Sequence, residues 1–134
     1  MLKELRRLIE EALAPFDWHN RRVVLLDFPE YWNLGDLIIW LGTQRFLRSV
    51  GAKAIHFSRS EKLADVARAV RQSDLILLQG GGNWGDLWPE HQEYRLRVLA
   101  RFPSHQIVVL PQTILFAFGN GADASVAAVE RCRD

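Results

Sequence analysis

Apolar positions along the chain follow two alternating rhythms. Leu2, Leu5, Leu8, Ile9, Ala12 and Leu13 recur at helical spacing with charges between them, which predicts an amphipathic helix over 2–14, ended at Pro15. Residues 23–28, Val-Val-Leu-Leu-Asp-Phe, form a short and nearly continuous apolar run, the pattern of a parallel strand buried on both faces. Helical spacing returns from Leu37 to Val50, with Gly51 where a C-cap glycine belongs. A second strand is predicted over 53–57, then a helix from a Ser60 N-cap through Arg71, then a third strand from Leu75 to Leu78. The glycine-rich stretch from Gly80 to Asp86 reads as a loop. Pro89 opens a helix to about Arg101, Ile107 to Leu110 form a fourth strand halted by Pro111, and 122–133 form a last helix.

Strands alternating with helices across short connections predict an α/β fold with a parallel sheet and right-handed crossovers. The expectation is one Rossmann-like domain over residues 1–134, three layers deep, with about four strands in the order 2-1-3-4.

Two turns echo each other 50 residues apart: Asn33-Leu34-Gly35-Asp36-Leu37 and Asn83-Trp84-Gly85-Asp86-Leu87. Each follows a predicted strand and precedes a predicted helix. Turn and cap preferences account for either copy alone, since Gly supplies positive φ and Asp caps helices. Two copies at the carboxyl ends of neighbouring strands would share the crevice where open α/β sheets bind ligands. Gly35 and Gly82 are accordingly expected at positive φ or in tight backbone contact.

Composition narrows the chemistry. Seventeen basic and 16 acidic residues leave a net charge of +1 with no cationic stripe, which disfavours nucleic acid. The single Cys132 excludes an intrachain disulfide and fits a reducing, cytoplasmic compartment. No apolar run is long enough for a membrane span, and the charged N-terminus is not expected to be a signal peptide. Gly80, Gly82 and Gly85 satisfy G-x-G-x-x-G, but after the third strand and with no ribose-binding carboxylate downstream, so a dinucleotide site is disfavoured. There is no Walker lysine, no His-Glu-x-x-His, no Cys-x-x-Cys and no Gly-x-Ser-x-Gly.

Among four histidines, His91 in the first turn after the glycine run is the acid/base candidate, while His19, His56 and His105 read as structural. Trp32, Trp84 and Trp88 flank the turns as candidate sugar platforms, and Trp40 reads as core.

Three stretches together resemble the polysaccharide pyruvyl transferase family. They are Asn33-x-Gly35-Asp36 with its helix, Gln79-Gly80-Gly81-Gly82-Asn83-Trp84-Gly85-Asp86-Leu87-Trp88-Pro89 followed by His91-Gln92 and Arg95, and Val108-Val109-Leu110-Pro111-Gln112-Thr113-Ile114. The resemblance covers about residues 23–116. It implies the N-terminal domain of a two-domain, glycosyltransferase-B-type fold, and transfer of a pyruvyl group from phosphoenolpyruvate to a sugar of an exopolysaccharide or cell-surface glycan precursor, with no metal or cofactor.

On that reading Asp36, Asp86 and His91 are the catalytic candidates. Asn33, Gly35, Gly80, Gly81, Gly82, Asn83, Gln112 and Thr113 are the substrate-binding ones. The nearest cations, Arg95 and Arg97, are expected more than a helical turn from the glycine run. The family's second domain has no counterpart within these 134 residues, so the chain alone is expected to be inactive, with either a missing second domain as partner or self-association through the apolar patch its absence would expose. The alternatives are a glycosyltransferase-B-type sugar transferase and a non-catalytic domain binding a saccharide or a partner.

Overall fold

The computed structural model describes residues 1–30, 32–117 and 121–130. Its elements are α1 (Leu2–Leu13), β1 (Arg22–Phe28), α2 (Leu34–Ser49), β2 (Lys53–Ser58), α3 (Leu63–Ala69), β3 (Leu75–Leu78), β4 (Gly81–Gly85), α4 (Pro89–Arg101), β5 (Ile107–Val109), β6 (Gln112–Leu115) and α5 (Ala122–Glu130). The main sheet has the order β2-β1-β3-β5 with every pair parallel, which is the expected order of four strands.

Successive residues of a strand point to opposite faces, and the continuous apolar runs of β1 and β3 therefore supply two cores at once. Val24, Leu26, Ile76 and Leu78 pack with Val66 of α3, Tyr94, Val98 and Leu99 of α4, and Ala128 of α5. Val23, Leu25, Leu75 and Leu77 pack on the other face with Leu13 of α1, with Trp18, and with Leu47 of α2. The result is the expected three-layer α/β domain, with the topology of a glycosyltransferase-B-type N-terminal domain.

The glycine-rich stretch departs from expectation. Gly81–Gly85 is a strand, not a loop, and pairs in parallel with β6. Leu78 pairs with Val109 and Gly81 pairs with Gln112, so the offset of the main sheet resumes after the break before slipping by one residue ahead of Trp84↔Ile114. β3–β4 and β5–β6 are thus two long strands, each interrupted once, that continue beyond the carboxyl edge of the sheet. Glycine makes the approach possible. A Cβ on Gly80 would collide with the Pro111 carbonyl oxygen, and Gly85 sits at φ 135° against the Leu115 carbonyl.

The constraint falls on other glycines than predicted. Gly35 and Gly82 are not among those at positive φ; Gly51, Gly81, Gly85 and Gly121 are. Open space surrounds the position of a Gly82 Cβ, and that of Gly35 meets only the side chain of Asn33 at 3.2 Å. Gly82→Ala is therefore expected to change stability by less than about 0.5 kcal/mol in urea unfolding, as ordinary surface substitutions do.

Several element bounds shift for local reasons. α2 begins three residues before the predicted Leu37, because Asn33 caps it by accepting from the amides of Gly35 and Asp36. Ser60 does not cap α3, which starts at Leu63; its hydroxyl bonds that of Ser58 at 2.7 Å. α1 forms as predicted, but Leu2, Leu5 and Leu8 of its apolar stripe are exposed and only Leu13 is buried. The predicted residues 131–133 of the last helix, with Cys132, lie outside the described residues.

Candidate functional site

The carboxyl end of β1 carries a buried polar centre that begins with a bulge. Leu25 pairs with His56 and Phe28 with Ser58, so β1 holds one residue more than β2 across this interval. Asp27, inside the bulge, takes a left-handed φ of 65° and is only 4% exposed. Bulges re-aim side chains, and Asp tolerates the left-handed region better than most residues.

The Asp27 carboxylate meets two side chains of α4. Arg95 Nη2 lies 2.8 Å from Oδ2, and His91 Nδ1 lies 3.1 Å from Oδ1. Arg95 is fully buried. It also donates to the Gln79 carbonyl at 2.9 Å and to Gln112 Oε1 at 2.7 Å, with its guanidinium 5.9 Å from the Trp84 ring centre. One side chain thus ties β1, β4, β6 and the junction after β3 to α4. Gln92 adds a second tie, accepting from the Gly85 amide and donating to Ser125 on α5. Burial, reinforced by the Asp27 carboxylate, pushes the neighbouring Tyr94 phenol up, so that side chain stays neutral across ordinary pH.

Above this centre lies a cleft of about 680 Å³. Its residues come from the carboxyl ends of three adjacent strands. Asn33 and Asp36 follow β1, Arg59 follows β2, and Gly82 and Asn83 belong to β4, beyond β3. Pro89, Glu90 and His91 contribute the first turn of α4, and the exposed indoles of Trp32 and Trp88 stand at its margins. α4 has no side-chain cap, so the positive end of its dipole opens here, beside an Arg59 that is 3.4 Å from Glu90.

Both echoed turns reach this cleft, the second through Asn83 alone, yet they are built differently. The first is a helix cap. The second is the end of a strand, because Pro89 delays α4 and Gly85 stays paired with Leu115. Asn33, Asp36, Gly82, Asn83 and His91 come together at the cleft. Gly81 lies under Asp36, whose Oδ1 is 3.3 Å from the position of a Gly81 Cβ. Gly35 sits within the α2 cap, and Gly80 packs on Pro111.

Asp86 does not line the cleft; its carboxylate accepts from the Ala117 amide at 2.7 Å. Gln112 holds Arg95, and Thr113 is exposed on β6. Trp84 is buried, while Trp40 is half-buried, edge-on to Phe28 and His56.

Sequence reasoning missed Asp27, which sits in an apolar run that looks wholly structural, and Arg59. It also misplaced Arg95, which lies directly beneath β4 and not a turn away. One signal for Arg95 was available: Gln92 and Arg95 share a face with Tyr94, Val98 and Leu99, so polar groups had to be satisfied in the core. Among the described residues no group of three or more His, Cys, Asp or Glu could hold a metal ion.

The profile of the family described as polysaccharide pyruvyl transferase matches residues 33–128, from the α2 cap into α5. The chain belongs to that family. Within it, the chain is 36% identical over 94 residues to the Bacillus subtilis protein named "Putative pyruvyl transferase EpsO", covering 70% of this chain and 29% of that one. It is 29% identical over 103 residues to the Schizosaccharomyces pombe protein named "Pyruvyl transferase 1", a match that takes in 72% of this chain and 26% of the relative. A third relative, "General stress protein 30" of Bacillus subtilis, is 28% identical over 72% of this chain and 30% of its own length. The chain therefore spans less than a third of the pyruvyl transferase relatives it matches. No helix among the described residues is long and apolar enough to cross a membrane.

Proposed function

We propose that the cleft is one wall of a pyruvyl transfer site that takes phosphoenolpyruvate and a saccharide acceptor, and that the chain is the N-terminal half of a two-domain transferase. The meeting of His91, Asp36 and Arg59 in one cleft, at the uncapped start of α4, supports this most. Arg59 and the α4 dipole favour the donor's phosphate and carboxylate. Trp32 and Trp88, which line the cleft, would offer faces to a sugar ring, and Asp36 in the same cleft would accept from its hydroxyls.

The reaction needs a proton removed from each of two sugar hydroxyls, one delivered to C3 and one carried away with the departing phosphate. One sugar hydroxyl adds to C2 of the enol while C3 gains a proton. A second hydroxyl then bonds to C2 as phosphate leaves, giving the ketal and inorganic phosphate. His91 is the group in this wall suited to taking up and returning a proton. The facing half, or a second copy of the chain, would close the other side. Without it the reactants stay solvated and poorly positioned.

Thermal unfolding with added ligand tests the reading. Phosphoenolpyruvate at a hundred times its Kd adds about 2.7 kcal/mol of stability and raises Tm, and Arg59→Ala is expected to abolish the rise. A rise with a nucleotide sugar and none with phosphoenolpyruvate would favour a sugar transferase instead. Phosphate release by the isolated chain with galactose- or mannose-containing acceptors is expected at background. Turnover that disappears in His91→Ala would overturn the half-site part.

A further inference from the structure

The family resemblance does not single out Asp27, yet the structure strains the backbone to place it. Among the described residues only Asn20 and Asp27 are non-glycine positions at positive φ, and Asn20 lies in the turn before β1. A conformation that glycine would adopt more easily, adopted by a charged residue at the buried carboxyl end of β1, is retained where the side chain is needed. We propose that Asp27 is a positioning residue that sets the tautomer of His91, holding the ring proton on Nδ1 and leaving Nε2 unprotonated.

A carboxylate can only accept hydrogen bonds. The His91 Nδ1 at 3.1 Å from Oδ1 therefore carries the proton, and in the neutral ring Nε2 is left with its lone pair. Nδ1 and Nε2 flank Cε1 on the ring. Nδ1 is anchored to a buried carboxylate, and the ring that carries it lines the cleft. The carboxylate is itself fixed, because Arg95 holds Oδ2 at 2.8 Å and is held in turn by the Gln79 carbonyl and by Gln112. The charge of Arg95 cancels that of Asp27, so the pair orients the ring without adding net charge beside it. Gln112, on this reading, contributes from beneath the cleft.

The decisive variant is Asp27→Asn. Arg95 can only donate, so the Asn oxygen must face Arg95 and its NH₂ must face His91. Nδ1 then has to accept, and the proton moves to Nε2. This inference rests on the proposed transfer reaction only for the use made of the unprotonated Nε2; the tautomer itself is read without ligand.

The experiment is a long-range ¹H–¹⁵N correlation spectrum of the 134-residue chain labelled at its four histidines, recorded where the rings are neutral, with His91→Gln used to assign the signal. The wild type is expected to show protonated Nδ1 and bare Nε2, and Asp27→Asn the reverse. Protonated Nε2 in the wild type, or an unchanged tautomer in Asp27→Asn, would overturn the proposal. The wild-type spectrum decides it should the variant fail to fold. Phosphoenolpyruvate failing to bind a chain with the expected tautomer would instead sink the proposed reaction and leave the role of Asp27 intact.

Discussion

Arg95→Met is expected to lower the unfolding free energy by about 3–5 kcal/mol, the cost of leaving one charge of a buried pair without its partner. Arg95 is fully buried and Asp27 nearly so, and no solvent is at hand to compensate the carboxylate. Methionine fills most of the aliphatic volume, so the loss reads the charge and its hydrogen bonds more than a cavity. The Gln79 carbonyl and Gln112 Oε1 also lose the donors that hold them. For a domain of ordinary stability this is a large fraction of the total. Equilibrium urea unfolding measures it directly. The mechanism has its own check: in the Arg95→Met background, Asp27→Asn should cost far less than in the wild type, because the stranded charge is gone. A loss below about 1 kcal/mol for Arg95→Met would mean that water reaches the pair.

Gly85→Ala is the second large effect, expected to cost about 3 kcal/mol or more. Two terms act together. The φ of 135° belongs to a region that residues with a Cβ scarcely enter, and the new methyl would overlap the Leu115 carbonyl oxygen. Relieving both requires the backbone at Gly85 to shift away from β6. Urea unfolding gives the loss, and faster amide exchange along β4 and β6 in the folded protein locates it. Stability within about 0.5 kcal/mol of the wild type would show that the two strands are not held as described.

The contrast between Gly85 and Gly82, three residues apart, shows where sequence reading stops. Both lie in one glycine-rich run, and nothing in their immediate neighbours tells them apart. The difference is the β6 backbone, which lies against Gly85 and leaves open space beside Gly82. The same holds for the echoed Asn-x-Gly-Asp turns, where one tetrapeptide pattern gives a helix cap in one place and a strand end in the other. The residues downstream of each copy decide its form. An unbroken helical pattern runs on from Leu37, whereas Pro89 and the contact with β6 intervene after Asp86.

The apolar runs at 23–28 and 75–78, the helical spacing between them and the short connections determined the parallel sheet, its order and its two cores, because burial on both faces demands continuous apolar strands and helices to cover them. The same pattern brought both echoed turns to one edge. Tertiary structure alone decided what lies beneath that edge. Asp27 is a single polar residue in an apolar run, and its meaning depends on a bulge in β1 and on two side chains 64 and 68 positions further along the chain. Such a centre has no local period, since hydrogen bonds between distant elements are set by how the layers pack and not by the spacing of residues along one of them.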